Sequence, residues 1–288
     1  MNTLLVGEIH LSAEELLGKN TQLLKITNEQ FLQTKSFPDV QAVVLRTFTP
    51  LKTAELQKFP ELRYVVACSV GTDNLDLGAL KQRNIQLVHC PGTNANSVAE
   101  HTLYLMLSLL REDAQKPYAE LKNKTVGLIG FGAIGKLVAK KLQGFQARLI
   151  AFDVIEQDPK VLTELGVEMK DYDTVLREAD LLTIHVPLNR HTEKMITSTS
   201  FERMKWNCFL INTSRAEVVH EEDLLQEYRD GRFRGIALDV CSPQLKEKMN
   251  KGNVLITDHC AAQGEDSFRE QCIKPVEEFV RIMNGGSH

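Results

Sequence analysis

The stretch TVGLIGFGAIGKLVAKKL, residues 125–142, decides the fold of this chain. An apolar run typical of a buried strand leads directly into Gly130-x-Gly132-x-x-Gly135, and a helical pattern follows at once. The first glycine permits a tight turn, the second lets the backbone approach a phosphate, and the third lets helix and strand pack closely. The helix N-terminus then offers unpaired N–H groups to an anion. The spacing therefore predicts a dinucleotide-binding βαβ unit.

A carboxylate stands where the ribose of the adenosine is expected. Asp153 ends the next apolar run, ARLIAFD. A carboxylate at this place accepts hydrogen bonds from both ribose hydroxyls and repels a 2′-phosphate. The following residues, Val154 and Ile155, supply no cation that would hold such a phosphate. The sequence therefore predicts NAD rather than NADP as the cofactor.

Composition excludes several other classes of protein. The 288 residues include 34 Lys+Arg against 38 Asp+Glu, so the formal net charge of −4 gives no sign of a nucleic-acid partner. Apolar runs stop well short of the roughly 20 residues that a membrane span needs. The N-terminal sequence MNTLLVGEIHLSAEE lacks the basic start of a secretory signal. The six cysteines form no CxxC pair, which predicts reduced thiols, no metal site and a cytoplasmic protein.

Strand and helix patterns alternate along the chain, which predicts parallel βαβ units of an α/β fold. A buried helix is predicted over residues 97–111, because Ser97 and Glu100 have the spacing of a capping box and the run is apolar nearly all round. We place the domain boundary near residue 95. The strands are predicted at LLVG, QLLKI, AVVLRTF, YVVACS, IQLVHC, KTVGLIG, ARLIAFD, DLLTIHV, CFLINTS, GIALDV and NVLITD.

Several spaced motifs together resemble those of the D-2-hydroxyacid dehydrogenase family, which includes D-3-phosphoglycerate, D-lactate, glycerate and formate dehydrogenases. The resemblance implies two doubly wound, Rossmann-like parallel-sheet domains, with the cofactor domain (96–261) inserted into the substrate domain (1–95 plus 262–288). Besides the glycine turn, the motifs are VGTDNLDL (70–77), PGTNANSVAEH (91–101), HVPLNRHT (185–192), LINTSRAEVV (210–219), ALDV (237–240) and the segment around His259.

The resemblance also implies a role for individual residues. Arg215 matches the arginine that grips the substrate carboxylate, and His259 matches the general acid/base at the reacting oxygen. Gln244 stands where the partner of this histidine is expected. The implied cofactor contacts are Gly130, Gly132, Ala133, Ile134, Gly135, Asp153, His185, Val186, Pro187, Thr213, Ser214 and Asp239. The implied substrate contacts are Arg46, Ser69, Val70, Gly71 and Asn94.

Gln244 is the largest departure from the family, most members of which have a glutamate at this position. A carboxylate stabilises the charged form of a neighbouring imidazole, whereas a neutral amide only orients it. Formate dehydrogenases resemble this chain at that point, so formate oxidation is one alternative function. A non-catalytic, NAD-binding regulatory protein is another.

The expected function is hydride transfer between NAD and a small anionic 2-hydroxy or 2-keto acid. A phosphorylated substrate would want more cations beside Arg46, where Phe48 stands instead, so an unphosphorylated acid is favoured. The resemblance also implies a homodimer formed through the cofactor domain. However, the connection between Arg111 and Lys124 is short and lacks the tryptophan-bearing arm that is common in relatives.

Overall fold

The structure is a computed structural model that describes residues 1–111, 118–249 and 251–285. The connection between Arg111 and Lys124 therefore lies partly outside the described residues. The chain divides into two compact units. Unit 1 comprises Met1–Asn94 and Gly264–His288, and unit 2 comprises Ala95–Gln263, so unit 2 interrupts unit 1 in the sequence.

Unit 1 is built on a five-stranded parallel sheet of order β2-β1-β3-β4-β5. Three phenylalanines stack in the core on one face of this sheet, Phe31, Phe37 and Phe59. The strands are β1 (Asn2–Val6), β2 (Gln22–Ile26), β3 (Ala42–Leu45), β4 (Tyr64–Ala67) and β5 (Gln86–His89). The helices are α1 (Leu11–Asn20), α2 (Asn28–Gln33), α3 (Thr53–Leu56), α4 (Leu77–Gln82) and, from the end of the chain, α12 (Glu265–Met283). The last helix packs against α1, β4 and β5.

Unit 2 is built on a seven-stranded parallel sheet of order β12-β11-β10-β9-β6-β7-β8. Its strands are β6 (Thr125–Ile129), β7 (Arg148–Phe152), β8 (Val167–Met169), β9 (Leu181–Ile184), β10 (Phe209–Asn212), β11 (Gly235–Leu238) and β12 (Val254–Ile256). Its helices are α5 (Ala95–Arg111), α6 (Ala133–Leu142), α7 (Pro159–Leu165), α8 (Tyr172–Glu178), α9 (Ser198–Arg203), α10 (Glu221–Arg229) and α11 (Pro243–Lys248).

The central strands of unit 2 are buried on both faces, as their uninterrupted apolar sequences require in a parallel sheet. Every residue of β9, β10 and β11 is buried. One core cluster, which includes α5 and α6, covers one face, and a second, which includes α8 to α11, covers the other. The predicted α/β fold with two parallel sheets is confirmed.

The sequence analysis missed one strand. β8 has only three residues, Val-Glu-Met, and lies at the edge of the sheet beside β7. It begins directly after Gly166, whose left-handed backbone (φ +65°) ends α7. A run this short carries too little alternation to be recognised as a strand.

The predicted start and burial of the long helix are wrong. α5 begins at Ala95, so Ser97 lies inside its first turn and its hydroxyl donates to the carbonyl oxygen of Ala261 (2.7 Å) rather than forming a capping box. Tyr104 and Leu107 are 55% and 38% exposed, because only one side of α5 packs against the sheet and α6. No described helix combines the length and the apolar character needed to cross a membrane.

Candidate active site

Most of the predicted cofactor and catalytic residues of unit 2 lie just beyond the carboxyl ends of its strands. Parallel strands end at one edge of a sheet, so residues that follow neighbouring strands meet there. In this sheet β6 and β9 are neighbours, and from there the chain proceeds in opposite directions, through β7 and β8 on one side and through β10 to β12 on the other. Ligands of doubly wound sheets bind at such a switch point.

The glycine turn after β6 is shaped so that two of its three glycines have no room for a side chain. A Cβ at Gly130 (φ +95°) would lie 2.7 Å from the carbonyl oxygen of His185, and a Cβ at Gly135 would overlap the carbonyl oxygen of Gly130. Gly132, in contrast, has no atom within 4 Å of its Cβ position. Gly132 is the N-cap of α6 and has no side chain that could bond to the first amides of the helix. The amides of Ala133 and Ile134 therefore lie beside open space. This geometry fits the pyrophosphate of a dinucleotide.

Asp153 lies one residue beyond β7, beside the glycine turn. Its carboxylate accepts hydrogen bonds from the amides of Phe131 (2.6 Å) and Ile155 (2.9 Å), which orient it at the edge of the sheet. Val154 is 88% exposed, and Ile155 is exposed as well. Two apolar residues beside a carboxylate offer contacts to an adenosine and nothing to balance a 2′-phosphate, which is consistent with NAD.

His185 follows β9 and presents an unsatisfied polar atom. Its Nε2 lies 3.0 Å from the hydroxyl of Thr183, while its Nδ1 is buried without a hydrogen-bond partner among the described residues. Burial lowers the pKa of His185 to about 3, so the ring is neutral at pH 7. A buried nitrogen without a partner is costly unless a ligand or water satisfies it. The segment continues through Val186 and Pro187 along the same edge.

A buried asparagine that the sequence analysis missed shapes the turn after β10. Asn212 accepts hydrogen bonds from the amide (3.0 Å) and the hydroxyl (2.8 Å) of Ser214, and its Nδ2 donates to the carbonyl oxygen of Arg215 (2.9 Å). Thr213 lies 3.1 Å from the hydroxyl of Thr102 on α5. An Asn within an N-T-S run could have signalled such a turn.

Arg215 and His259 line one cavity of about 410 Å³ at the ends of β10, β11 and β12. The Nη1 of Arg215 donates to the carbonyl oxygen of Ser214 (2.9 Å), which holds the guanidinium against the turn after β10. His259 has a left-handed backbone (φ +51°), an uncommon conformation for a residue other than glycine. Its amide donates to the carbonyl oxygen of Asp239 (2.9 Å). The residues that line the cavity thus include Arg215, His259 and the buried Asp239.

Asp239 follows β11, is 1% exposed and accepts several hydrogen bonds. Its Oδ1 accepts from the hydroxyl of Thr257 (2.5 Å) and the amide of Cys260 (2.9 Å), and its Oδ2 accepts from the amide of Ala261 (3.1 Å). The Nε2 of His101 lies 3.4 Å from Oδ1. Burial alone would raise the pKa of Asp239, but these bonds, with that from His101, hold the pKa below its ordinary value.

The same neighbourhood contains three potential metal ligands. One ligand atom each from His101, Asp239 and Cys260 lie within 4.8 Å of one another. Both oxygens of Asp239 already accept hydrogen bonds from amides, and Oδ1 also accepts one from a hydroxyl. These contacts account for the cluster as a hydrogen-bonded network.

The lowered pKa of Asp239 predicts a pH-dependent contribution to stability. A depressed carboxyl pKa stabilises the fold fully above the unfolded-state pKa of about 3.9, and this stability is lost as the pH falls through the lower folded-state value. We expect Asp239→Asn to reduce the free energy of unfolding by about 1–3 kcal/mol at pH 7. Urea unfolding at pH 7 and pH 3 will show this difference shrinking in acid. An equal loss at both pH values, or no larger loss than in Asp158→Asn, would contradict the prediction.

The expected pairing of Gln244 with His259 is not present in the described part of the chain. Gln244 lies on the exposed first turn of α11 and does not line the cavity. Lys246, one residue beyond the buried Leu245 on the same helix, forms an ion pair with Asp258. The helix begins at Pro243 after the Ser242 cap, and this start directs the Gln244 side chain to the surface.

The predicted substrate residues belong to unit 1 and follow its strands in the same way. Arg46 follows β3, with its guanidinium 4.7 Å from the ring centre of Phe268 and its Nε buried without a partner among the described residues. Ser69, Val70 and Gly71 form the loop after β4, where the Ser69 hydroxyl donates to the Gly71 carbonyl oxygen (3.0 Å).

Two asparagines also lie in the segments that follow strands of unit 1, Asn74 after β4 and Asn94 after β5. Asn94 ends the first segment of unit 1, and its Oδ1 is buried and has no partner within the described ranges. Asn74, which the sequence analysis did not single out, donates to the carbonyl oxygens of Arg46 (3.2 Å) and Thr49 (2.7 Å). It thereby ties the loop after β4 to the loop after β3.

Comparison with known proteins gives consistent matches. The family model for the NAD-binding domain of D-isomer specific 2-hydroxyacid dehydrogenases matches residues 85–261. Hydroxypyruvate reductase of Thermotoga maritima is 30% identical over 287 residues, covering 92% of this chain and 92% of that protein. Glycerate dehydrogenase of Methylorubrum extorquens is 30% identical over 262 residues, covering 80% of each chain.

Among solved structures, the chain is similar to D-lactate dehydrogenase from Aquifex aeolicus complexed with NAD and lactic acid. The TM-score is 0.88 at 25% identity, covering 99% of this chain and 96% of that one.

Proposed function

The chain belongs to the D-isomer specific 2-hydroxyacid dehydrogenase family, and we propose that Arg215 and His259 are its catalytic residues. The protein is an NAD-dependent oxidoreductase that transfers a hydride between nicotinamide and a 2-hydroxy acid or its 2-keto acid. The observation that carries the assignment is the cavity at the ends of β10, β11 and β12, which Arg215 and His259 both line.

Arg215 binds the substrate carboxylate. A guanidinium matches a carboxylate with two parallel N–H donors, which fixes the acid in one orientation, and its charge also polarises the neighbouring carbonyl. The turn held by Asn212 supports the start of this side chain. The half-buried position of Arg215 strengthens the attraction, because the dielectric is lower than in water.

His259 exchanges a proton with the reacting oxygen. During reduction of a keto acid its ring donates a proton to the carbonyl oxygen, and during oxidation it accepts the proton of the hydroxyl. The bound nicotinamide supplies or accepts the hydride. Asp239 holds the segment that carries His259 and would supply a negative charge near the nicotinamide ring of a bound cofactor.

The residues that we assign to cofactor binding lie along the same edge of the sheet. Gly130, Gly132, Gly135 and the amides of Ala133 and Ile134 would hold the pyrophosphate. Asp153 would bind the adenosine ribose. His185, Val186, Pro187, Thr213 and Ser214 would line the path toward the nicotinamide, where the unsatisfied Nδ1 of His185 supports a polar contact.

We assign substrate binding in unit 1 to the loops after β3 and β4. The amides of Ser69, Val70 and Gly71 would bind the anionic substrate, and Asn94, after β5, would add a polar contact. Arg46 would lie near the substrate, with its guanidinium partly engaged by Phe268. Exposed Phe48 stands two residues further on, which supports a small, unphosphorylated acid.

We further propose that the chain acts as a cytoplasmic homodimer that associates through unit 2. Tyr104 and Leu107 give the outer side of α5 exposed apolar area, and exposed Tyr118 follows further along the chain. Light scattering would give twice the 32.5 kDa mass of one chain. A single-chain mass at micromolar concentration would contradict the dimer and leave the catalytic assignment unaffected.

A spectrophotometric screen tests the proposed function. NADH oxidation is followed at neutral pH with a panel of unphosphorylated and phosphorylated 2-keto acids, with formate plus NAD in the same plate. We expect turnover with at least one small unphosphorylated keto acid. Turnover with formate alone would support formate oxidation, for which the exposed Gln244 now gives little support. Tight NADH binding without turnover of any compound would support a regulatory role instead.

Cofactor preference provides a test of Asp153. We expect Asp153→Ser to raise the ratio of kcat/KM for NADPH to that for NADH by about 10- to 100-fold, since charge repulsion and a charged hydrogen bond are both lost. The ratio is measured with the keto acid found in the screen. Asp158→Ser is a matched control, because it changes an exposed cap of α7 for another good capping residue. An unchanged ratio in Asp153→Ser would contradict the assignment.

A further inference from the structure

We propose that His101 is a positioning residue that holds His259 in its working orientation through Thr257 and Asp239. The inference rests on the proposed function, in which His259 exchanges the proton. His101 belongs to α5, far from His259 in sequence, and does not line the cavity. It therefore acts through other residues.

His101 contacts two members of the network directly. Its Nε2 lies 3.1 Å from the hydroxyl of Thr257 and 3.4 Å from Oδ1 of Asp239. The Thr257 hydroxyl in turn donates to the same Oδ1. The side chain of His101 is 15% exposed, so these contacts are largely shielded from water. Imidazole, hydroxyl and carboxylate thus form a closed triangle beneath the cavity.

The carboxylate of Asp239 connects this triangle to the segment that carries His259, because it accepts hydrogen bonds from both. This carboxylate accepts hydrogen bonds from the amides of Cys260 and Ala261. The backbone carbonyl oxygen of the same residue accepts a hydrogen bond from the amide of His259. Three consecutive amides are therefore fixed by one residue. The hydroxyl of Ser97, one turn before His101 on α5, donates to the carbonyl oxygen of Ala261 and anchors the end of the segment.

His259 depends on this external support. Its left-handed backbone is disfavoured for a side-chain-bearing residue, so surrounding contacts must maintain it. Its ring makes no hydrogen bond to any residue within the described ranges, and Gln244 lies on the surface. The direction of the imidazole is thus set by the backbone of residues 257–261, which α5 holds through His101.

Paired substitutions at two positions separate positioning from mere stability. His101→Leu removes the ring nitrogens, whereas His101→Gln retains a polar group of similar reach. Thr257→Val and Thr257→Ser form a second pair, in case His101→Leu fails to fold. Glu100→Gln is the control, because it changes an exposed neighbour on the same helix.

We expect His101→Leu to lower kcat by about 10- to 100-fold, as a misplaced catalytic group does. The Kd of NADH, measured by fluorescence, should change less than about threefold, and His101→Gln should restore most of kcat. Equal losses in both variants, a kcat that stays at the wild-type value, or a loss confined to NADH binding would each overturn the proposal.

Hydrogen exchange gives a readout that does not depend on turnover. In NADH-free protein, His101→Leu should speed exchange of the amides of His259, Cys260 and Ala261 and leave those of the central strands unchanged. Unchanged exchange at these three amides, or acceleration throughout unit 2, would reject the positioning role. If wild-type protein turned over no keto acid, the proposed function would fail, while this exchange pattern would still decide whether His101 holds the segment.

Discussion

Replacing Arg215 by lysine will lower kcat/KM for the 2-keto substrate by about 10²- to 10³-fold, with the binding of NADH nearly unchanged. The substitution retains the positive charge and removes the planar pair of donors. A lysine cannot bind both carboxylate oxygens in the fixed orientation that hydride transfer needs. The loss should therefore appear mainly in kcat, with a smaller rise in KM.

A matched control shows whether the effect is specific to Arg215 or follows from any arginine-to-lysine substitution. Arg229 is exposed in the last turn of α10, away from the cavity, and Arg229→Lys should leave kcat/KM within about twofold. Initial rates over a range of keto-acid concentrations at saturating NADH provide both constants. Normal turnover by Arg215→Lys would mean that the substrate carboxylate is bound elsewhere.

Replacing Gly135 by alanine will destabilise unit 2 by about 3 kcal/mol or more, because the added Cβ would overlap the carbonyl oxygen of Gly130. This oxygen belongs to the backbone of the turn, which cannot move aside as a flexible side chain would. Relief would require α6 to shift away from β6, and NADH binding would weaken with it. Thermal unfolding and NADH titration measure the two effects.

Substitutions of two other glycines, Gly132 and Gly144, serve as comparisons for Gly135→Ala. Gly132→Ala meets no atom within 4 Å, so it should leave the melting temperature nearly unchanged while it weakens NADH binding, because its methyl group occupies the space expected for pyrophosphate. Gly144→Ala, which also meets nothing, should change neither quantity. Equal stability of the Gly135 and Gly144 variants would contradict the packing account of the turn.

Local patterns made much of the fold predictable from sequence. Long apolar runs bounded by turn residues identified the central strands, since residues buried on both faces tolerate few polar side chains. The glycine turn was predictable because its glycine spacing lies within one continuous stretch of sequence, and the backbone leaves no room for a Cβ at Gly130 and Gly135. β8 was not, because three residues at a sheet edge leave no period to recognise. The start of α5 was misplaced, because Ser97 bonds to Ala261, a contact that sequence spacing cannot reveal.

The candidate site was predictable only in part, for a related reason. Arg215, Asp239 and His259 each follow a strand, so a parallel sheet brings them to one edge, and the family resemblance implied their roles. The supporting residues depend on contacts across the fold. His101 contacts the side chains of Thr257 and Asp239, which are distant from it in sequence. The surface position of Gln244 depends on where α11 begins.

A double-substitution cycle on Arg215 and His259 tests the central claim most directly. The claim is that the guanidinium and the imidazole act on one bound acid. The measurement is kcat/KM for NADH-dependent reduction by the wild-type protein, Arg215→Lys, His259→Asn and the double variant. Residues that act as a unit lose activity in a strongly non-additive way. We predict that the double variant is far more active than the product of the two single losses requires; strictly multiplicative losses, as found for distant and independent sites, would contradict the account.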